Sequence, residues 1–153
     1  MIHAKLEDFD KIKNIFKGYR DIFPYLRFDS LKNKIEEGKV IYDSGVVITY
    51  NRYKRNQKLG DTQAKKGDIV IQEIVKEENG NSVDVFNRFA DFVQSDIWLT
   101  VRRDNQKAKR FYEKVNMKVV GEVVWSKGTL MGDVYKYSIL TVSYTHLRAH
   151  ETG

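Results

Sequence analysis

A chain of 153 residues, 41% of them hydrophobic, suggests a single domain with a core of useful size, and the chemistry below is assigned to residues 1–141. With no cysteine it builds neither a disulfide framework nor a thiolate metal centre, and no apolar run approaches the ~20 residues of a membrane span. A formal charge of +6 favours anionic partners: a polyanionic cofactor, an acidic protein or nucleic acid.

The segment Met1–Glu7 does not read as a signal-peptide core, and with the missing cysteines this leads us to expect a cytoplasmic protein. Ile2–Leu6 reads as a first strand. Phe9, Ile12, Ile15, Phe16 and Tyr19 fall at helical spacing, predicting an amphipathic helix over about residues 7–20. After Pro24, Asp29 or Ser30 is placed to cap a second short helix, with Leu31 and Ile35 inward and Gly38 as its stop. Val40–Tyr42, Asp43-Ser44-Gly45 and Val46–Tyr50 spell a hairpin. Lys54–Lys66 is polar and basic and reads as a loop. Gly67–Lys76 is β-branched and reads as a strand, and the turn Glu77–Ser82 opens a helix with Val83, Phe86, Phe89, Ala90 and Val93 on its apolar face. Ile97–Val101 is a short buried-type strand. Asn105–Asn116 is the next helix, with Asp104 as its expected N-cap and Asn116 as its left-handed stop. Val119–Trp125 and Val134–Leu140 close the chain as strands around the glycine-containing loop Ser126–Gly132. Hairpins first and β-α-β-α-β later imply a mixed sheet with helices on its faces.

Three places carry residues suited to chemistry. In the helix Asn105–Asn116, Ala108, Phe111, Tyr112 and Val115 share one face, and a buried tyrosine needs a partner for its hydroxyl. Asn105 opens that helix with an amide that donates and accepts, suited either to capping or to holding a ligand. The turn around Gly80 leads into a helix N-terminus, whose free N–H groups favour a diphosphate. Glu73 is the one acid in the mostly apolar run Ile69–Val75 of that strand. Partly buried, its pKa rises and it suits a base that takes a proton from an amine; facing solvent or a cation, it is an ordinary surface acid.

Asn105, Ala108, Phe111 and Tyr112 form the pattern N-x-x-A-x-x-F-Y, which is similar to the acyl-CoA-binding helix of the GCN5-related N-acetyltransferases (GNAT). The turn Glu77-Glu78-Asn79-Gly80-Asn81-Ser82 resembles that family's Q/R-x-x-G-x-G/A at Gly80 and Ser82, and departs from it at Glu77, where the family has a basic or amide residue. The resemblance spans about residues 1–140 and is strongest over Gly67–Met117. It implies an α/β (α+β) fold with a mixed, mostly antiparallel sheet of six to seven strands flanked by about four helices. It further implies an acetyl-CoA-dependent transferase working by direct transfer, with Tyr112 as general acid and Glu73 as general base. Backbone groups of Ile74, Val75 and Lys76 would hold the pantetheine arm. Asn79, Gly80, Asn81 and Ser82 would hold the diphosphate, Asn105 the pantetheine or phosphate region, and Ala108 and Phe111 would pack against the cofactor. No metal is required.

The acceptor is expected to be a small-molecule or protein amine, or one attached to nucleic acid, and the chain a monomer or homodimer without membrane association. The aromatics Tyr19, Phe23, Tyr25, Phe28, Tyr50, Tyr53 and Trp125 are candidates for the acceptor side, Lys127–Gly132 for a mobile acceptor loop, and Arg52, Lys54, Arg55 and Lys58 for a basic rim that favours an acidic partner. The alternative is a non-catalytic module of the same fold associated with nucleic acid. His3 reads as structural. The stretch Val142–Thr152 resembles one translated frame of a sequencing-library adapter, so it is set aside, and His146 and His150 are not read as a metal pair.

Overall fold

The helical spacing at the start of the chain takes shape as two short helices in a computed structural model, whose described residues are 1–140. The adapter-like stretch lies outside them. The residues group into two compact units, Met1–Asn51 with Ile71–Phe89, and Arg52–Val70 with the described residues from Ala90 onward.

In the first unit, the expected N-terminal strand is reduced to a bridge between His3 and Ile41, followed by a 3-10 turn at Leu6–Asp8. The carboxylate of Asp8 accepts the Lys5 N–H at 2.9 Å and turns the chain before a strand can extend. Helix α1 (Phe9–Lys17) is shorter than the spacing predicts and buries Ile12 and Phe16. Helix α2 (Phe28–Glu36) starts after Arg27 with no side-chain cap; Asp29 lies inside its first turn and accepts the Ser30 N–H at 2.9 Å. Gly38 ends it in the left-handed region, φ 74°. Strands β1 (Val40–Asp43) and β2 (Val46–Arg52) pair antiparallel across Ser44 and Gly45, both at positive φ as a tight hairpin turn requires. Ile12, Phe16, Leu31, Ile35, Val40, Val47 and Val75 form the core of this unit.

In the second unit, the basic segment read as a loop is a two-stranded hairpin, β3 (Gln57–Leu59) and β4 (Thr62–Ala64). Ala64 is fully buried against Trp98 and Val134 with Leu59 beside them, and that apolar anchorage is what orders so polar a segment. Strand β5 (Ile69–Lys76) and helix α3 (Ser82–Val93) contribute to both units. On α3 the buried residues are Val85, Phe86, Phe89, Ala90 and Val93, so Val85 takes the place expected for Val83. Strand β6 (Ile97–Arg102), helix α4 (Gln106–Lys114), strand β7 (Lys118–Trp125) and strand β8 (Leu130–Tyr137) follow. The expected loop Ser126–Gly132 is shorter than predicted. Gly132 lies within β8, opposite Val123 and Arg102, and the Trp125 ring occupies the space a Cβ there would need.

Six strands hydrogen-bond in the order β1-β2-β5-β6-β8-β7. β5 runs parallel to β6 at Ile69 and Val70, whereas β6 and β7 are each antiparallel to β8. This mixed sheet, with four α-helices α1–α4 among the described residues, is the α/β architecture the sequence implied. On the free side of β7, the Asp61 N–H donates to the Glu122 carbonyl at 3.0 Å and the Glu122 N–H donates to the Asp61 carboxylate at 2.7 Å. Gly121 makes this approach possible, since a Cβ there would lie 2.3 Å from the Asp61 carboxylate. Among the described residues no helix is long and apolar enough to cross a membrane.

Candidate active site

Glu73 lies midway along β5, half-buried, with its carboxylate on Thr49 of β2. The Thr49 hydroxyl donates to Glu73 Oε2 and accepts the Glu73 N–H at 3.0 Å. Burial pushes the Glu73 carboxyl up from its usual range; the Thr49 hydrogen bond and the Lys34 ammonium oppose the rise. Lys34, on α2, donates to the Tyr50 carbonyl at 3.2 Å, and burial lowers its pKa. Both side chains line a cavity of about 720 Å³ within the first unit, walled by Ile22–Arg27, Leu31, Thr49 and Gln72. Sequence reasoning singled out Glu73 but missed Thr49 and Lys34. The available signal was a lone hydroxyl residue closing the apolar run Val46–Ile48.

The residues after Glu73 belong to the same unit. Ile74 is half-buried and Val75 sits in the core. The Tyr19 hydroxyl donates to the Lys76 carbonyl at 3.1 Å and accepts the Lys76 N–H at 3.3 Å, so both backbone groups of Lys76 have a partner. Glu77 is tied to the β1–β2 hairpin: its N–H donates to the Gly45 carbonyl at 2.8 Å, and its carboxylate accepts the Tyr42 hydroxyl at 2.7 Å. That bond raises the Tyr42 pKa to about 12. Gly80 packs against the same turn, where a Cβ would lie 2.6 Å from the Gly45 carbonyl oxygen. Asn79 is exposed, Ser82 starts α3, and Asn81 caps that helix by accepting the Asp84 N–H at 3.1 Å. Arg88 holds Asp84 and clamps the buried Asp43 through two bonds of 2.9 and 3.2 Å, bringing the Asp43 pKa down to about 2.

Asn105, Ala108, Phe111 and Tyr112 belong to the second unit. Asn105, not Asp104, is the N-cap of α4: its side-chain oxygen accepts the Ala108 N–H at 3.2 Å, while Asp104 pairs with Arg102. The cap uses only the carbonyl of that amide and leaves its N–H donors. Ala108, Phe111 and Tyr112 are each half-buried. The Tyr112 ring lies 5.6 Å from Phe111 and 5.5 Å from Tyr135. Burial pushes the Tyr112 pKa up to about 12. The fully buried Tyr135 has no partner for its hydroxyl among the described residues. Asn116 ends α4 at φ 70°, as its position predicts.

Of the expected acceptor-side aromatics, Phe23 and Tyr25 line the cavity. Tyr19 is taken by Lys76, Phe28 carries Lys13 and Arg20 over its ring, and Tyr50 stacks on Phe89 with its hydroxyl on His3. Tyr53 and Trp125 belong to the second unit. Arg52 is exposed, and its guanidinium donates to the Gly67 and Val93 carbonyls and to Ser95. Lys54, Arg55 and Lys58 are exposed. Among the described residues, no group of three or more His, Asp or Glu side chains is placed to hold a metal ion.

No family model matches the chain, and no curated protein matches it in sequence. Solved structures match it in fold. A GNAT-family acetyltransferase from Streptococcus agalactiae 2603 superposes with a TM-score of 0.68 at 12% identity, over 89% of this chain and 92% of that one. NAA60 from Arabidopsis thaliana, in complex with acetyl-CoA, gives 0.63 at 16% identity over 90% and 96%. A mutant of the spermidine N-acetyltransferase SpeG from Vibrio cholerae gives 0.63 at 16% identity over 90% and 92%. The chain therefore has the fold of the GNAT acetyltransferases.

Proposed function

We propose that the chain is an N-acetyltransferase that moves an acetyl group from acetyl-CoA directly to an amine. The observation that carries this reading is Glu73, a half-buried carboxylate with a raised pKa, one oxygen on Thr49 and a cavity in front of it, in a fold that acetyltransferases share. Glu73 accepts a proton from the acceptor ammonium, directly or through water. The neutral amine attacks the thioester carbonyl, and a backbone N–H of β5 stabilises the oxyanion. The C–S bond then breaks, Tyr112 gives its proton to the departing thiolate, the nitrogen releases its remaining extra proton to water, and the phenolate is reprotonated from water. With its pKa at about 12 the phenol is protonated at neutral pH but is a weaker acid than a free tyrosine, so it gives up its proton only as the C–S bond breaks and the thiolate forms.

For acetyl-CoA as co-substrate, Ile74 and Val75 offer the pantetheine arm backbone groups, and Lys76 offers fewer because Tyr19 already holds its own. Asn79, Gly80, Asn81 and Ser82 present the N-terminal turn of α3 to the diphosphate. The acid at Glu77 keeps its negative charge, since Tyr42 is a neutral donor, and the bond holds that carboxylate on the β1–β2 hairpin. The N–H donors of Asn105 suit a phosphate or amide oxygen, and Ala108 and Phe111 offer apolar surface to the cofactor.

Calorimetric titration with acetyl-CoA tests the reading, run on wild type and Tyr112→Phe beside a turnover assay. Binding retained in both, with turnover lowered in the variant, supports it. Absence of binding by the wild-type protein at millimolar acetyl-CoA sinks it.

A further inference from the structure

The cavity beside Glu73 is lined by charges of both signs, and most of them already have partners. Arg27 pairs with Asp29 at 3.0 Å, and Lys39 pairs with Glu37 at 2.9 Å. Lys34 and Glu73 remain. Lys34 uses one of its three N–H donors on the Tyr50 carbonyl and makes no ion pair among the described residues. Glu73 uses Oε2 on Thr49 and keeps Oε1. One wall of the same cavity is apolar, formed by Ile22, Phe23, Pro24, Leu26 and Leu31.

From this arrangement we infer that the acceptor is a free amino acid with an apolar side chain, its amine at Glu73 and its carboxylate at Lys34. The inference rests on the acetyltransferase reading and narrows it. A partly desolvated ammonium with two free donors regains from a carboxylate the solvation it loses to burial. A polyamine would bring cationic charge to Lys34, where the acids acting on it are Glu73, taken by the reacting amine, and Glu37, already paired with Lys39. The cavity volume, about 720 Å³, lies in the range for small-molecule ligands, and the apolar wall matches a side chain such as a phenyl group.

Matched probes decide the matter: L-phenylalanine, phenethylamine (the same molecule without its carboxylate) and spermidine. Acetylation kinetics are measured on wild type, Lys34→Met and Lys34→Arg, with calorimetric binding of each amine in the absence of acetyl-CoA. Wild type should favour phenylalanine over phenethylamine by about tenfold or more in kcat/KM, with spermidine poorest. Lys34→Met should bring the two aromatic amines within about threefold of each other through KM for phenylalanine, and Lys34→Arg should restore part of the preference. Phenethylamine or spermidine preferred by wild type overturns the inference while leaving acetyl transfer intact. So does a preference that Lys34→Met does not move, or a phenylalanine-led peptide with a blocked C-terminus acetylated better than the free amino acid. If no amine is acetylated yet phenylalanine binds wild type and not Lys34→Met, the amino-acid site stands and the acetyltransferase reading falls.

Discussion

Glu73 and Asp43 are both acids held away from solvent, and their partners push them in opposite directions. Thr49 gives Glu73 one hydrogen bond and the Lys34 ammonium a favourable field, which do not offset burial, so its pKa rises. Arg88 gives Asp43 two charge-assisted bonds, which outweigh burial, so its pKa falls to about 2. The first suits a base and the second a clamp. Replacing Glu73 with Gln should lower kcat by about 10²- to 10⁴-fold while acetyl-CoA affinity stays at the wild-type value, as steady-state assays and calorimetry will show. The rising limb of the wild-type pH–rate profile should sit above the ordinary glutamate range. Asp43 bears on stability. Its folded pKa lies below its unfolded value of about 3.9, so its contribution is present above that pH and is lost as pH falls toward 2. Asp43→Asn should therefore cost about 2 kcal/mol at neutral pH in urea unfolding, with the difference from wild type closing near pH 2.

Elements were legible wherever local chemistry alone decides them. Ser44-Gly45 declares a tight hairpin, and Asn116 declares a helix end, because few residues tolerate positive φ. The β3–β4 hairpin was not legible, since its order comes from Ala64 packing on Trp98 and Val134, far along the chain. The cap of α4 was misplaced by one residue because Asp104 and Asn105 are both good caps and only the Arg102–Asp104 pair separates them. Gly80 was legible as a turn, and the structure adds a packing reason for it: it lets the β5–α3 turn sit against the β1–β2 turn. Gly80→Ala, which puts a methyl 2.6 Å from the Gly45 carbonyl oxygen, should destabilise the fold by about 1–3 kcal/mol in thermal or chemical unfolding. Asn105→Ala should cost about 1 kcal/mol through the lost cap, and should also raise KM for acetyl-CoA if the amide holds the ligand.

At the scale of the molecule, the charge of +6 is concentrated in part on the exposed cations of the β3–β4 segment, Lys54, Arg55, Lys58, Lys65 and Lys66. A polyanionic co-substrate should sense that field, so KM for acetyl-CoA should rise with ionic strength, measured in assays from low to physiological salt. Salt-sensitive retention of DNA by a protein that does not bind acetyl-CoA would favour the nucleic-acid-associated alternative. The candidate site was only partly readable at this scale. Glu73 stood out as a lone acid, but Thr49 reaches it across 24 positions of sequence, a distance that periodicity cannot register. The docking of Asp61 onto Glu122 has a further consequence. β7 is the last strand of the sheet, and it exposes Val119, Val120 and Val124 by 51%, 44% and 54%. Such an edge is a template on which a second chain adds a strand, and the Asp61 turn occupies both backbone groups of its central residue. Asp61→Ala would uncover the template, so light scattering of concentrated samples should climb before the melting temperature falls. On the exposed side of β7, one carboxylate and the N–H beside it thus cap the open edge of the sheet.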